Sequence, residues 1–244
     1  MQWTDSGVVL GNRRHGETGV ILELMTAQHG RHLGMVRGGR SKRHAAVLQP
    51  GNIVQAVWQA RIEEQLGQYS IEAETLHAGH LISNASALYA LGYLASLLRL
   101  LPERDRQEGL HAALTVILAH LDRPQLAAPL IIRFEVALLA ALGFGLDLTA
   151  CASTGATQEL VYVSPKSGRA VSRLAGLPYH DRLLPLPGFV AGLAGDNLGP
   201  QAMRDGFGLT RFFLEAHVFA PRGLSLPEQR TSFIESVVRA IEAE

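Results

Sequence analysis

The chain has 244 residues, with 22 Lys and Arg against 22 Asp and Glu, ten His and one Cys. At 47% hydrophobic and 18% charged residues it is too apolar to be disordered and long enough for two or three modules, while zero net charge excludes a uniformly basic surface. One Cys excludes an internal disulfide, and Met1-Gln2-Trp3-Thr4-Asp5 lacks the charged-then-apolar layout of a signal peptide, so a reducing cytoplasm is expected.

Short runs rich in β-branched residues fill the first quarter: Val8–Leu10, Val20–Leu24, Leu33–Val36, Ile53–Trp58 and Tyr69–Ile71, separated by Gly, Asn, His or Pro. Five such strands in about 75 residues predict a small closed barrel, of OB type in the first instance, although an SH3-like barrel uses the same number. After His80 the texture turns helical. Leu81, Ala85, Leu88, Gly92, Ala95 and Leu98 keep a 3.6-residue rhythm that Leu110, Leu114, Ile117 and Leu121 repeat. Ser83, Asn84, Ser86 and Ser96 interrupt the uncharged stretch from Leu81 to Leu98, which argues for a buried helix over a membrane span. A third helix is predicted from Pro129 to Gly143, a hairpin at Leu160–Val163 and Ala170–Ser172, and helices over 209–219 and 228–241. The fold class expected is α+β: a barrel over 1–78, then a mostly helical domain over 79–244 with a hairpin inserted at about 150–180.

The zero charge is segregated. Residues 1–62 carry eight Arg and Lys against three acids, and residues 63–244 carry fourteen against nineteen. No carboxylate lies between Glu23 and Glu63, where Arg31, Arg37, Arg40, Lys42, Arg43 and Arg61 occur. A polyanion would therefore find the N-terminal part.

Enzyme signatures are missing: no phosphate-cradling G-x-x-x-x-G-K-[ST], no G-x-G-x-x-G, no G-x-S-x-G and no H-E-x-x-H. His77 and His80 lack nearby partners for a metal, Glu63 and Glu64 read as a solvated strand end, and Cys151 reads as a small buried residue. What remains is Arg37-Gly38-Gly39-Arg40-Ser41-Lys42-Arg43, four cations in seven residues with glycines that would let backbone approach a phosphate chain. Few aromatics precede residue 80, so contact through the nucleic-acid backbone is expected, without a general stacking platform. The alternative is an enzyme or ligand-binding regulator with a pocket in the helical domain.

Gly16-Glu17 with Ile21–Leu24, Val36 to Arg43, and Leu48-Gln49-Pro50-Gly51 resemble the N-terminal barrel of the RecO recombination mediators. The likeness continues in Arg133-Phe134-Glu135, in Tyr162 to Gly168 and in Leu209 to Leu214, in the family's order along nearly the whole chain. It implies a non-enzymatic protein that binds single- and double-stranded DNA, anneals complementary strands and helps load recombinase onto coated single strands. No cofactor is implied. The implied partners are RecR and the acidic C-terminal tail of the single-stranded-DNA-binding protein, and the implied location is the cytoplasm, at the nucleoid. Arg37, Arg40, Lys42 and Arg43 match the family's basic loop, with Arg13, Arg14 and Arg31 in the same barrel. Arg133 matches the Arg associated with docking the tail. On a helix, Ala137, Ala140 and Ala141 follow it on one face, leaving a shallow groove beside a guanidinium able to bond both carboxylate oxygens. The competing reading is that a neighbouring helix packs on those alanines and an acid pairs with Arg133. The family's four-cysteine zinc positions correspond here to Cys151, Thr154, Ser172 and Ala175, and one thiolate in four cannot hold structural zinc, so a metal-free hairpin is expected. Lys166, Arg169 and Arg173 on that hairpin are further DNA-binding candidates.

Overall fold

A computed structural model describes residues 1–192 and 198–243. The chain divides into two compact units, 1–122 and 123–244.

In the first unit, β1 (Gln2–His15), β2 (Gly19–Thr26), β3 (Gly30–Val36), β4 (Ile53–Gln59) and β5 (Gln68–Thr75) close a barrel in the order β1-β2-β3-β5-β4. The parallel pair of β3 with β5, Val36 opposite Tyr69, decides for the OB topology. β1 closes the barrel because it serves two neighbours, residues 2–8 pairing with β4 and residues 7–15 with β2. A bulge between Val9 and Gly11 turns it from one to the other. The interior is filled by Val9, Leu22, Leu24, Val36, Val54, Trp58 and Tyr69. Gly34 on β3 is dictated by that packing, since a Cβ there would stand 2.5 Å from the Tyr69 ring. A six-residue helix, α1 (Lys42–Val47), follows β3.

The change of texture at His80 marks the end of the barrel, but the compact unit runs on through α2 (Ala78–Leu81), α3 (Ala85–Leu98) and α4 (Glu108–Leu118). Asn84 caps α3 by accepting the Ala87 N–H at 3.2 Å. Leu81 and Leu91 lie beside Gly51, whose φ of +88° makes the turn into β4.

The second unit is built on α5 (Pro124–Ala141). This helix opens at Pro124, five residues before the proline that the sequence reading chose. Pro124 supplies the first-turn position where a missing N–H costs nothing, and Pro129 lies inside the helix. A hairpin of β6 (Leu160–Val163) and β7 (Ala170–Ser172) follows, then α6 (Arg173–Gly176) and the short strand β8 (Leu184–Pro185) on the other edge of β6. α7 (Pro200–Phe213) widens into a π turn over Leu214–Phe219, and α8 (Glu228–Glu242) completes the unit. Among the described residues, the helix long and apolar enough to cross a membrane is α5, while the stretch weighed from sequence, Leu81–Leu98, falls short. The apolar residues of α5 form a core: Ile131, Ile132, Phe134, Leu138 and Leu139 are buried, and Glu135 among them is fully buried against Arg230 of α8.

Candidate nucleic-acid interface

Strand register explains how the separated cations meet. Arg14 faces Val20 across β1 and β2, and Val20 faces Val36 across β2 and β3. Three neighbouring strands therefore carry Arg13 and Arg14 to the same barrel end as the loop that leaves β3, and at about 4.8 Å per strand the row spans about 10 Å. The loop is bound to the β1–β2 tip: the Arg40 N–H donates to the Thr18 carbonyl at 3.1 Å, and its guanidinium donates to the Glu17 carbonyl. Gly38 adopts φ +62°. Gly39 is buried, and a Cβ there would stand 2.5 Å from Val20 Cγ2. Its smallness thus serves packing, a different reason from the phosphate approach read from the sequence.

The basic loop ends as α1, an element the sequence reading missed because six residues with no buried side chain show no periodicity. Ser41 caps it, accepting the His44 N–H at 3.4 Å, and His44 Nδ1 lies 3.0 Å from the Gly38 carbonyl. Lys42 and Arg43 occupy its first turn with no acid, where cations oppose the helix dipole. Their charge costs helix stability and leaves Arg37, Arg40, Lys42 and Arg43 exposed on one ordered segment.

Arg31 is taken elsewhere. It faces Met25 near the opposite end of β2 and β3, its side chain is 13% exposed, and it pairs with Glu23 at 2.9 Å and Glu103 at 3.6 Å. Arg99 of α3 grips the same Glu23 at 2.8 Å. Pairing with Glu23 at the edge of the acid-free run and with distant Glu103 makes Arg31 a tie within the first unit.

Of the three hairpin cations, Lys166 is exposed at the turn, Arg169 pairs with Asp147 at 3.1 Å and Arg173 with Glu159 at 3.7 Å. Three of the four positions matched to the zinc site do converge. Ser172 donates to Cys151 Sγ from its N–H at 3.3 Å and its hydroxyl at 3.4 Å. Burial works against the thiolate, but these bonds and those from Thr154 bring the thiol below its usual range, to about 6. Hydrogen bonds occupy the place where four thiolates would meet, and among the described residues no three His, Cys, Asp or Glu side chains are grouped to hold a metal.

The Arg133-Phe134-Glu135 sequence on α5 splits three ways. Phe134 enters the core, Glu135 joins the buried pair, and Arg133 stays on the exposed face with Ala137, Ala140 and Ala141. No neighbouring helix covers those alanines among the described residues. The Arg133 Nε and Nη2 donate to the Phe189 carbonyl at 2.9 and 2.7 Å. That bond takes up the side-on edge of the guanidinium and leaves the end-on pair of Nη1 and Nη2.

The chain matches the family description "Recombination protein O N terminal" over residues 1–77 and "Recombination protein O C terminal" over 82–225. The chain belongs to the RecO family. Relatives named DNA repair protein RecO include that of Methylobacterium nodulans, 57% identical over 96% of this chain and 97% of the relative. That of Methylorubrum populi is 55% identical over the same shares, and that of Mesorhizobium japonicum is 51% identical over 97% and 94%. This RecO-family chain is therefore a DNA repair protein by kinship, and its OB-fold barrel with a following helical region has the architecture the resemblance implied.

Proposed function

We propose that this RecO-family protein is a non-enzymatic mediator of DNA repair and recombination that binds single- and double-stranded DNA, anneals complementary strands and helps load recombinase onto coated single strands. The observation that carries the reading is the gathering of Arg13, Arg14, Arg37, Arg40, Lys42 and Arg43 at one barrel end by the pairing of β1, β2 and β3. Cations on an ordered loop neutralise phosphates and release counterions without reading sequence, which suits a protein that must hold either of two complementary strands. Lys166, exposed on the hairpin, extends this set, whereas Arg169 and Arg173 would first have to leave their acids. Arg133 with Ala137, Ala140 and Ala141 offers a peptide carboxylate an end-on guanidinium beside small residues, the chemistry the acidic tail of the single-stranded-DNA-binding protein requires. RecR is the second protein partner proposed, and the cytoplasmic nucleoid the place of action.

The test is a titration of labelled single-stranded DNA across salt with the variant Arg37→Gln/Arg40→Gln/Lys42→Gln/Arg43→Gln. Each lost phosphate contact removes about 0.7 from the slope of log affinity against log salt, so four removals should flatten it by about 3. Unchanged affinity and slope would refute the assignment of the loop. A tight small ligand or nucleotide turnover with no DNA affinity would instead favour an enzyme or regulator.

A further inference from the structure

A second feature of the first unit is independent of the basic row. Trp3, His29, His32, Trp58 and Arg104 line a cavity of about 440 Å³, inside the range of small-ligand sites. Both tryptophans of the chain are in it. Trp3 stacks on His29 with centroids 4.0 Å apart and planes within 9°, and on Trp58 at 5.6 Å and 18°. The column Trp58, Trp3, His29 ends on a ring whose side chain is 33% exposed, fixed by Asp5 Oδ2 at 3.0 Å from its Nδ1.

Polar groups converge on the same space. His32 is 2% exposed, and its Nδ1 lies 2.8 Å from the hydroxyl of buried Tyr69. The ring also hydrogen-bonds to the Leu33 backbone. Burial first, then the charges of Arg104 and His29, hold the His32 pKa down to about 4, so the ring is neutral at pH 7. Arg104 adds a guanidinium 5.8 Å from the Trp58 ring centroid. Two of its donors hold the carbonyls of Glu63 and Gln65, and its backbone is kept at φ +64°, uncommon for a residue with a side chain.

From this geometry we infer that the cavity takes one unstacked nucleobase of a bound single strand, stacked on the Trp58–Trp3–His29 column with a ring carbonyl accepting from Arg104 beside His32. Each base has a face to stack, while the Arg104 guanidinium selects an oxygen edge. Capture of a splayed base would add to phosphate binding an affinity that duplex DNA, whose bases are stacked and paired, cannot supply. The inference rests on the DNA-binding reading above and adds one captured base to the expected contact mostly through the backbone.

The experiment compares a short oligothymidylate with an abasic strand of equal length and charge, following dye anisotropy for binding and intrinsic tryptophan emission for the cavity. Oligothymidylate should quench the emission and bind roughly tenfold tighter than the abasic strand, which should bind without quenching. In Arg104→Gln the gap between the two strands should shrink severalfold. Equal affinities with no quenching would overturn base capture and leave phosphate binding standing. Absence of any anisotropy change with either strand would overturn the DNA-binding reading, and base capture with it.

Discussion

Removing Arg230 tests the account of the second unit most directly. Its Nε donates to Glu135 Oε1 at 2.8 Å, and its Nη2 reaches Glu135 Oε2 at 3.2 Å, Thr210 Oγ1 at 3.0 Å and the Phe207 carbonyl at 2.8 Å. The guanidinium also lies 5.2 Å from the Phe207 ring centroid. One side chain thus joins α5, α7 and α8, with its own exposure at 5% and that of Glu135 at 0%. Arg230→Leu would remove the opposite charge from a carboxylate that water cannot reach, and breaking such a pair on one side costs about 3–5 kcal/mol. Glu135→Leu should cost a similar amount by removing the buried counter-charge of the guanidinium. The double variant loses both charges together, and because a buried pair roughly balances desolvation against attraction it should recover most of the loss. Urea unfolding followed by far-ultraviolet circular dichroism reads the helices. With a denaturant slope of about 2 kcal/mol per molar, each single variant should move the helical midpoint down by about 2 M. Single variants within about 1 kcal/mol of the parent, or a double variant as unstable as the sum of the two, would refute the reasoning.

Two further outcomes concern the barrel. His32 faces Tyr69, His29 and Arg104, and its pKa of about 4, below the ordinary 6.5, means the native state resists the proton that unfolded chains accept. Its contribution is complete above pH 6.5, declines as pH falls towards 4 and is constant below, amounting to at most about 3 kcal/mol at about 1.36 kcal/mol per pH decade. Comparing urea midpoints by tryptophan fluorescence at pH 7 and pH 4.5 should show a steeper acid loss in the parent than in His32→Phe, and equal losses would refute the assignment. For Arg31→Ala the salt slope of DNA binding should stay unchanged while the first unit loses about 1–3 kcal/mol, because a half-buried pair with Glu23 is broken. A slope flatter by about 0.7 would instead place a phosphate on Arg31.

The strands were legible because each is a short β-branched run between breakers, and the register that assembles the basic row follows from Val20, Val36 and the glycine turns once the barrel closes. α1 was not legible, since Lys42 to Val47 bury nothing and leave no hydrophobic rhythm. The start of α5 was misplaced because two prolines five residues apart are both tolerated by a first turn, and only packing of Ala127 and Ala128 into the core selects the earlier one. The aromatic cavity was missed for a related reason: Trp3, His29, His32, Trp58 and Arg104 are scattered over a hundred residues and meet only through barrel closure.

Composition and pattern alone determined that the chain is a barrel followed by helices, that its cations concentrate in the first 62 residues, and that it resembles RecO proteins, because local propensity and charge are written residue by residue. Tertiary structure decided which cations are available. Arg31, Arg169 and Arg173 are matched to acids distant in sequence, while Arg13, Arg14, Arg37, Arg40, Lys42 and Arg43 remain exposed at one barrel end. Coulomb partners are set by distance in space, and no reading of neighbours along the chain contains that distance.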